Sequence, residues 1–190
     1  MNTIKIAFKV FLALTIITGI AYPLFITGVA QIAFPSKANG SLILKDNKVI
    51  GSELVGQQFD SSIYFSSRPS EVLYNTMPSG GSNSAPTSNK LKQLFMERKA
   101  KFLEMNQLDN YLNVPSEMLF ASASGVDPHI SPRAAMLQAS RVASARNFNI
   151  NQKLQLNLLI KKLIESPMFL CLGEERINVL LLNFETDKIQ

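Results

Sequence analysis

From Val10 to Ser36 the chain runs for 27 residues without a charged side chain, "VFLALTIITGIAYPLFITGVAQIAFPS". As a helix rising about 1.5 Å per residue, such a run reaches roughly 40 Å, more than the ~30 Å hydrocarbon core of a bilayer. Thirteen of the 27 are Val, Leu, Ile or Phe. Each of these contributes about −0.3 to −0.6 kcal/mol near the centre of a span, so together they favour insertion by several kcal/mol. The alternative is a cleaved leader, for which Val29-Ala30-Gln31-Ile32-Ala33 supplies small residues at cleavage spacing. The run is about twice the usual apolar region of a leader, which favours an uncleaved anchor.

Charge divides the chain at the same place. All 14 acidic residues lie beyond Phe34, and of the 19 basic residues only Lys5 and Lys9 precede it. The basic residues flanking the run are nearly balanced, Lys5 and Lys9 before it and Lys37, Lys45 and Lys48 after it. Long domains cross largely regardless of charge, so the expected topology keeps residues 1–9 in the cytoplasm and places the remainder outside. The expected organisation is a cytoplasmic N-terminus at 1–9, a transmembrane helix at 10–35 and one soluble α+β domain at 36–190, a mixed extracytoplasmic fold on a single-pass anchor.

Within that domain, "SLILKDNKVIGSEL" reads as two strands around a Lys45-Asp46-Asn47-Lys48 turn. Leu91, Leu94, Phe95, Phe102 and Met105 share a helical stripe from Ser88 to about Met105, capped by Thr87 or Ser88. Ser131-Pro132 opens a second helix reaching about Arg146, whose alanines allow close packing. A third spans about Gln152 to Glu165 and stops before Ser166-Pro167, with Lys161 and Lys162 where the helix dipole favours cations. "RINVLLLNFE" reads as a strand buried on both faces.

The motifs of the chain exclude more chemistry than they supply. Gly80-Gly81 lacks the GxxxxGKS or GxxxxGKT spacing of a phosphate loop, and no GxGxxG occurs. His129, the only histidine, has no partners at metal or triad spacing and reads as a loop or surface residue. The lone Cys171 reads as a small buried apolar residue, and Glu174-Glu175 as a solvated corner. The lysines of the Ser88–Met105 helix are interrupted by Glu97 and Glu104, a solvated mixed face rather than a nucleic-acid stripe. No catalytic or metal-binding residue is expected. Two furnished polar loops are left over, and the residues alone support a membrane-tethered domain that contacts a partner; a tethered hydrolase or sensor is the rival reading.

Three stretches, "RPSEVLYNTMPSGGSNSAPTS" from Arg68, "SASGVDPHISPRAAMLQASRVASARN" from Ser122 and "LGEERINVLLLNFETD", closely resemble the C-subunit family of the bacterial Kdp potassium-transporting ATPase. The resemblance extends over nearly the whole chain. It implies a complex in which a channel-like subunit binds potassium, a P-type ATPase subunit hydrolyses ATP, a very small subunit aids stability and this subunit joins them at the inner membrane without being the enzyme. It further implies a catalytic-chaperone role that raises the ATP affinity of the ATPase subunit, with Gln138 as the matching glutamine. Gln138 lies outside in the expected topology while ATP is inside. Either its effect runs indirectly through the assembled complex, which is the expectation adopted, or the domain faces the cytoplasm; ATP is thus engaged only through the partner.

The loop built from Tyr74, Asn75, Pro78, Ser79, Gly80, Gly81, Ser82 and Asn83 is then expected to be a preorganised docking surface. Glycine would give positive φ and close backbone approach, prolines would limit the entropy lost on docking, and the short polar side chains would supply hydrogen bonds. Asp127, Pro128 and His129 form the second candidate contact, with the alternative that Asp127 or Ser131 merely caps the next helix.

Overall fold

The computed structural model describes residues 2–45, 47–169 and 171–189. It divides into two compact units, Met1–Ser52 and Glu53–Gln190.

In the first unit, helix α1 (Asn2–Ile16) and helix α2 (Tyr22–Ala33) are joined by a π-helical turn at Ile17–Ala21, making a continuous helical segment of 32 residues with none of its core buried. By length and composition it can cross a membrane. Pro23 explains the wide turn: it has no N–H and its ring crowds the carbonyl one turn back, and a π-turn accommodates both. Thr15, Thr18 and Thr27 donate their hydroxyls to the carbonyls of Phe11, Leu14 and Pro23, which satisfies each polar group in place. Phe34 breaks the helix ahead of the single turn α3 (Pro35–Ala38). Strands β1 (Leu42–Lys45) and β2 (Lys48–Ser52) form the expected antiparallel hairpin, pairing Lys45 with Lys48 and Leu42 with Ser52. Asn47 takes φ +60° in its turn, a conformation asparagine tolerates; Asp46 lies outside the described residues.

The second unit is built on helices. Ser88 caps α4 (Asn89–Met105) by accepting from the Leu91 N–H, and Phe102 and Leu103 are its buried residues. Ser131 caps α5 (Pro132–Ala145) in the same way through Ala134, and Ala134, Ala135, Ala139 and Ala143 are all buried, so the small residues do bring its neighbours close. Helix α6 (Ile150–Lys162) starts earlier than its apolar spacing implies. Asn149 and Gln152 form a reciprocal capping box that fixes the N-terminus. It also ends earlier, because Glu165 leaves the helix to bridge Arg176 through two backbone hydrogen bonds.

The largest correction concerns "RINVLLLNFE". Only Ile177–Asn178 is a strand, β4, which pairs with β3 (His129–Ile130), and Val179–Thr186 is helix α7. The cap that overrides the strand reading is Asn178, whose side-chain oxygen accepts from the Leu181 N–H at 3.1 Å. The buried residues Val179, Leu180, Leu182, Asn183 and Thr186 then fall on one face at helical spacing. The core gathers Phe65, Ile130, Val142, Leu156, Ile160, Ile177 and Leu182 from loop, strands and α5 to α7. The described residues are therefore mixed helix and strand, with two small antiparallel sheets.

Candidate functional site

Two loops that lie fifty residues apart in sequence are stitched together. The Gly80 N–H donates to the Ser124 carbonyl at 3.0 Å. Ser70 Oγ donates to the Gly125 carbonyl at 2.6 Å and accepts from the Tyr74 N–H at 3.0 Å, so one hydroxyl fixes both loops. The glycine that makes this possible is Gly125. It has φ +74°, and a Cβ there would lie 2.4 Å from Val72 Cγ2 and 2.8 Å from the Gly80 carbonyl oxygen. Neither Gly80 nor Gly81 has positive φ. Gly81 does approach closely, since a Cβ would come 3.3 Å from Ala123 Cα and O, whereas one on Gly80 would meet nothing within 4 Å. The expectation of positive φ at the pair is thus corrected: in this loop positive φ falls on Leu73, Tyr74 and Asn83, at +52°, +60° and +49°, and in the partner loop on Gly125.

Asp127 anchors the second loop. Its carboxylate pairs with Arg68 Nη1 at 2.7 Å and accepts from the His129 N–H at 3.0 Å, with the His129 ring Nδ1 at 3.3 Å. Burial pushes this carboxyl up, but the His129 hydrogen bonds and the Arg68 guanidinium outweigh it and hold the pKa down to about 2. Ser131, not Asp127, caps α5. His129 is neither in a loop nor freely exposed: it sits in β3 with its side chain 25% exposed. Pro128 is buried and its carbonyl accepts from the Val179 N–H at 2.9 Å. Tyr74 donates its hydroxyl to the Arg68 carbonyl. Burial is the main reason its pKa is pushed up to about 12, which keeps the donor protonated.

The loop surface itself is open. Asn75, Pro78, Ser79, Ser82 and Asn83 are exposed, and Tyr74, Gly80 and Gly81 are half-buried where they seat against the fold. Beside the stitched loops lie a cleft of about 560 Å³ between the 58–74 segment and α4, lined by Phe59, Tyr74, Lys101 and Phe102, and a second of about 500 Å³ containing Arg68, Glu117, Asp127 and His129. Glu174 and Glu175 are exposed at the rim of the second, as a solvated corner should be. Among the described residues no His, Cys, Asp and Glu group is arranged to hold a metal ion.

Gln138 is placed differently from the loops. Its side chain is 0% exposed. The Ser66 N–H donates to Gln138 Oε1 at 2.7 Å, Gln138 Nε2 donates to the Ser66 carbonyl at 3.3 Å, and Arg141 Nη2 donates to Oε1 at 2.9 Å. Asn183 repeats the two-point clamp on Phe65, accepting at 2.7 Å and donating at 2.9 Å. Arg141 completes it with bonds to the Ser62 and Tyr64 carbonyls and to Asn106, its pKa lowered by burial. Two amides and a guanidinium thus replace a β-ladder for residues 62–66. The family resemblance points to Gln138 but to neither Arg141 nor Asn183, whose only signal in the sequence is a polar residue among the apolar positions of α5 and α7. Cys171 is exposed rather than buried, next to the Met168 and Leu172 backbone bridge.

A family model described as K+-transporting ATPase, c chain, KdpC, matches residues 4–188. The chain belongs to the KdpC family. Similar proteins named potassium-transporting ATPase KdpC subunit come from Photorhabdus laumondii, 46% identical over 179 residues covering 93% of this chain and 91% of the relative, and from Methylococcus capsulatus, 43% identical over 193 residues covering the whole of both. The relative from Pectobacterium atrosepticum is 42% identical over 191 residues, 99% of this chain and 97% of its own length. Full-length coverage means that the KdpC resemblance includes the apolar N-terminal helix as well as the stitched loops.

Proposed function

We propose that this chain is a non-catalytic accessory subunit of a Kdp-type, ATP-driven potassium-uptake complex in the inner membrane. It assembles or stabilises the channel-like potassium-binding subunit and the P-type ATPase subunit, alongside the small stabilising subunit, with its second unit outside the cytoplasm. The observation that carries this reading is the stitched loop pair. The 75–83 surface is held by Gly80–Ser124 and Ser70–Gly125 bonds while its own polar side chains stay exposed. A surface fixed before contact loses little entropy on docking, which suits a constitutive subunit interface.

The mechanism is conformational. A subunit that docks more tightly on one state of its partners shifts them toward that state, and a remote nucleotide site can then bind ATP more tightly without touching the subunit. The burial of Gln138 and its commitment to Ser66 and Arg141 support such an indirect route. Gln138 supports the fold that presents the loops, and ATP is held by the ATPase subunit. The test compares ATPase turnover against ATP concentration for the complex purified with and without this chain. A raised KM for ATP or a dissociated complex in its absence is expected. Unchanged assembly and kinetics, or ATP hydrolysis by the isolated chain, would overturn the reading.

A further inference from the structure

Helix α6 has an apolar stripe that its core packing does not use. Leu156 and Ile160 face the core. Ile150, Leu154 and Leu158, spaced four apart, are 78%, 57% and 65% exposed. At about 100° per residue these three lie within roughly 80° of one another and opposite the buried face. Isolated exposed leucines are ordinary, but three aligned on one helix form a patch that water should not be left to cover.

The charges on the helix itself are of one sign. Lys153, Lys161 and Lys162 are exposed on α6, and the helix contains no acidic residue. Lys161 falls on the stripe's line at its end, and the other two flank it on either side. Just beyond the helix, Met168 and Leu172 exchange backbone hydrogen bonds, each 2.9 Å, closing a turn on which Met168, Phe169 and Leu172 are 66%, 83% and 61% exposed. Of the acids near in sequence, Glu165 pairs with Arg176 at 2.9 Å, while Glu174 and Glu175 are exposed at the rim of the cleft lined by Arg68 and Asp127.

We infer that the outer face of α6, together with Met168, Phe169 and Leu172, docks on an anionic lipid surface. An apolar stripe flanked by lysines is the pattern of a helix lying in a membrane interface, where the lysine stems cover apolar surface while their heads meet lipid phosphates. The inference goes beyond the proposed complex and rests on the apolar N-terminal helix lying in a bilayer. That tether makes contact intramolecular, so a weak interfacial affinity is populated. Each lysine adds attraction to an anionic leaflet that salt weakens.

Cys171, the only cysteine and exposed within the turn, allows a direct test on the full chain. The chain is labelled there with a polarity-sensitive thiol dye and reconstituted into phosphatidylcholine vesicles with or without about one third phosphatidylglycerol. A blue shift and at least a twofold gain in intensity are expected with the anionic lipid, together with quenching by spin-labelled lipid. Pure phosphatidylcholine or high salt should remove most of the change. Leu154→Asp with Leu158→Asp, both at exposed positions, should abolish it, and Lys161→Glu with Lys162→Glu should reduce it severalfold. Co-flotation with the vesicles should persist in every variant, because the N-terminal helix is intact. An unshifted spectrum in anionic vesicles, or a shift that survives both double substitutions, would overturn the inference. So would a shift that appears only in the assembled complex, which would assign the patch to a protein partner.

Discussion

Replacing Gln138 by alanine separates a structural clamp from a ligand-binding residue. The substitution removes the acceptor for the Ser66 N–H and for Arg141 Nη2, together with the donor to the Ser66 carbonyl. A buried backbone donor left unsatisfied costs about 1–3 kcal/mol, and a lost hydrogen bond to a charged group a further ~1.5–3 kcal/mol. Ser66 is only half-buried and Arg141 retains Ser62, Tyr64 and Asn106, so partial rescue by water and by the remaining partners brings the expected loss to about 3 kcal/mol. Against a total of roughly 5–15 kcal/mol for a domain this is a large fraction. For a unit of this size it should lower the melting midpoint by roughly 10 °C. Thermal unfolding of the detergent-solubilised chain by circular dichroism measures it directly. Gln138→Glu keeps an acceptor for the Ser66 N–H and Arg141 Nη2 but sets a second carboxylate oxygen, an acceptor, against the Ser66 carbonyl oxygen, so it should also melt below wild type. A Gln138→Ala melt within about 1 °C of wild type would refute the clamp and return Gln138 to a role outside the fold.

Gly125→Ala should cost about 2 kcal/mol or more, because φ +74° and a 2.4 Å approach to Val72 leave no room for a Cβ, whereas Gly80→Ala should melt within about 0.5 kcal/mol of wild type; equal losses would show that the loop glycines act alike. Folding lowers the Asp127 carboxyl from its ordinary value to about 2, so its contribution is complete above about pH 4 and fades as the pH falls through 2. Asp127→Asn should therefore lower stability at neutral pH and shrink its difference from wild type in acid, as followed by urea unfolding across that range; a pH-independent difference would contradict the Arg68 pairing. A cysteine introduced at Ser82, with Cys171 replaced by serine, should react with an impermeant thiol reagent in intact cells. Reaction only after lysis, with a control site accessible throughout, would place the second unit in the cytoplasm.

The elements that sequence made legible are those whose signal is local. Ser131-Pro132 and Ser88 announce their helices because a cap needs only a hydroxyl and the N–H three residues on. The apolar N-terminal run needs only its length. Asn178 defeated the same reasoning: an apolar run of strand length has the same composition as a buried helix, and the deciding bond is made by one amide that could also have lain in a strand. At the site, Gly/Ser/Pro composition marked both loops, yet their stitching was invisible, since Ser70–Gly125 and Gly80–Ser124 join distant segments. For the same reason the glycine pair is a poor guide to positive φ, which falls on Leu73, Tyr74 and Asn83 and on Gly125, where the partner loop crowds the backbone. The Gln138, Arg141 and Asn183 clamps are tertiary in the same sense, and a polar residue inside a helix does not disclose what it faces.

The docking role of the 75–83 loop is tested most directly by affinity purification of the tagged chain from membranes carrying the whole complex, as wild type and as Gly80→Val. A Cβ at position 80 meets no atom of its own fold within 4 Å, so a branched side chain there should leave the melt of the chain unchanged while blocking close approach by another surface. Wild type should bring down the channel-like and P-type ATPase subunits in fixed ratio, and Gly80→Val should recover them severalfold less. Full recovery of both partners by a normally folded Gly80→Val chain would contradict the docking role of the loop.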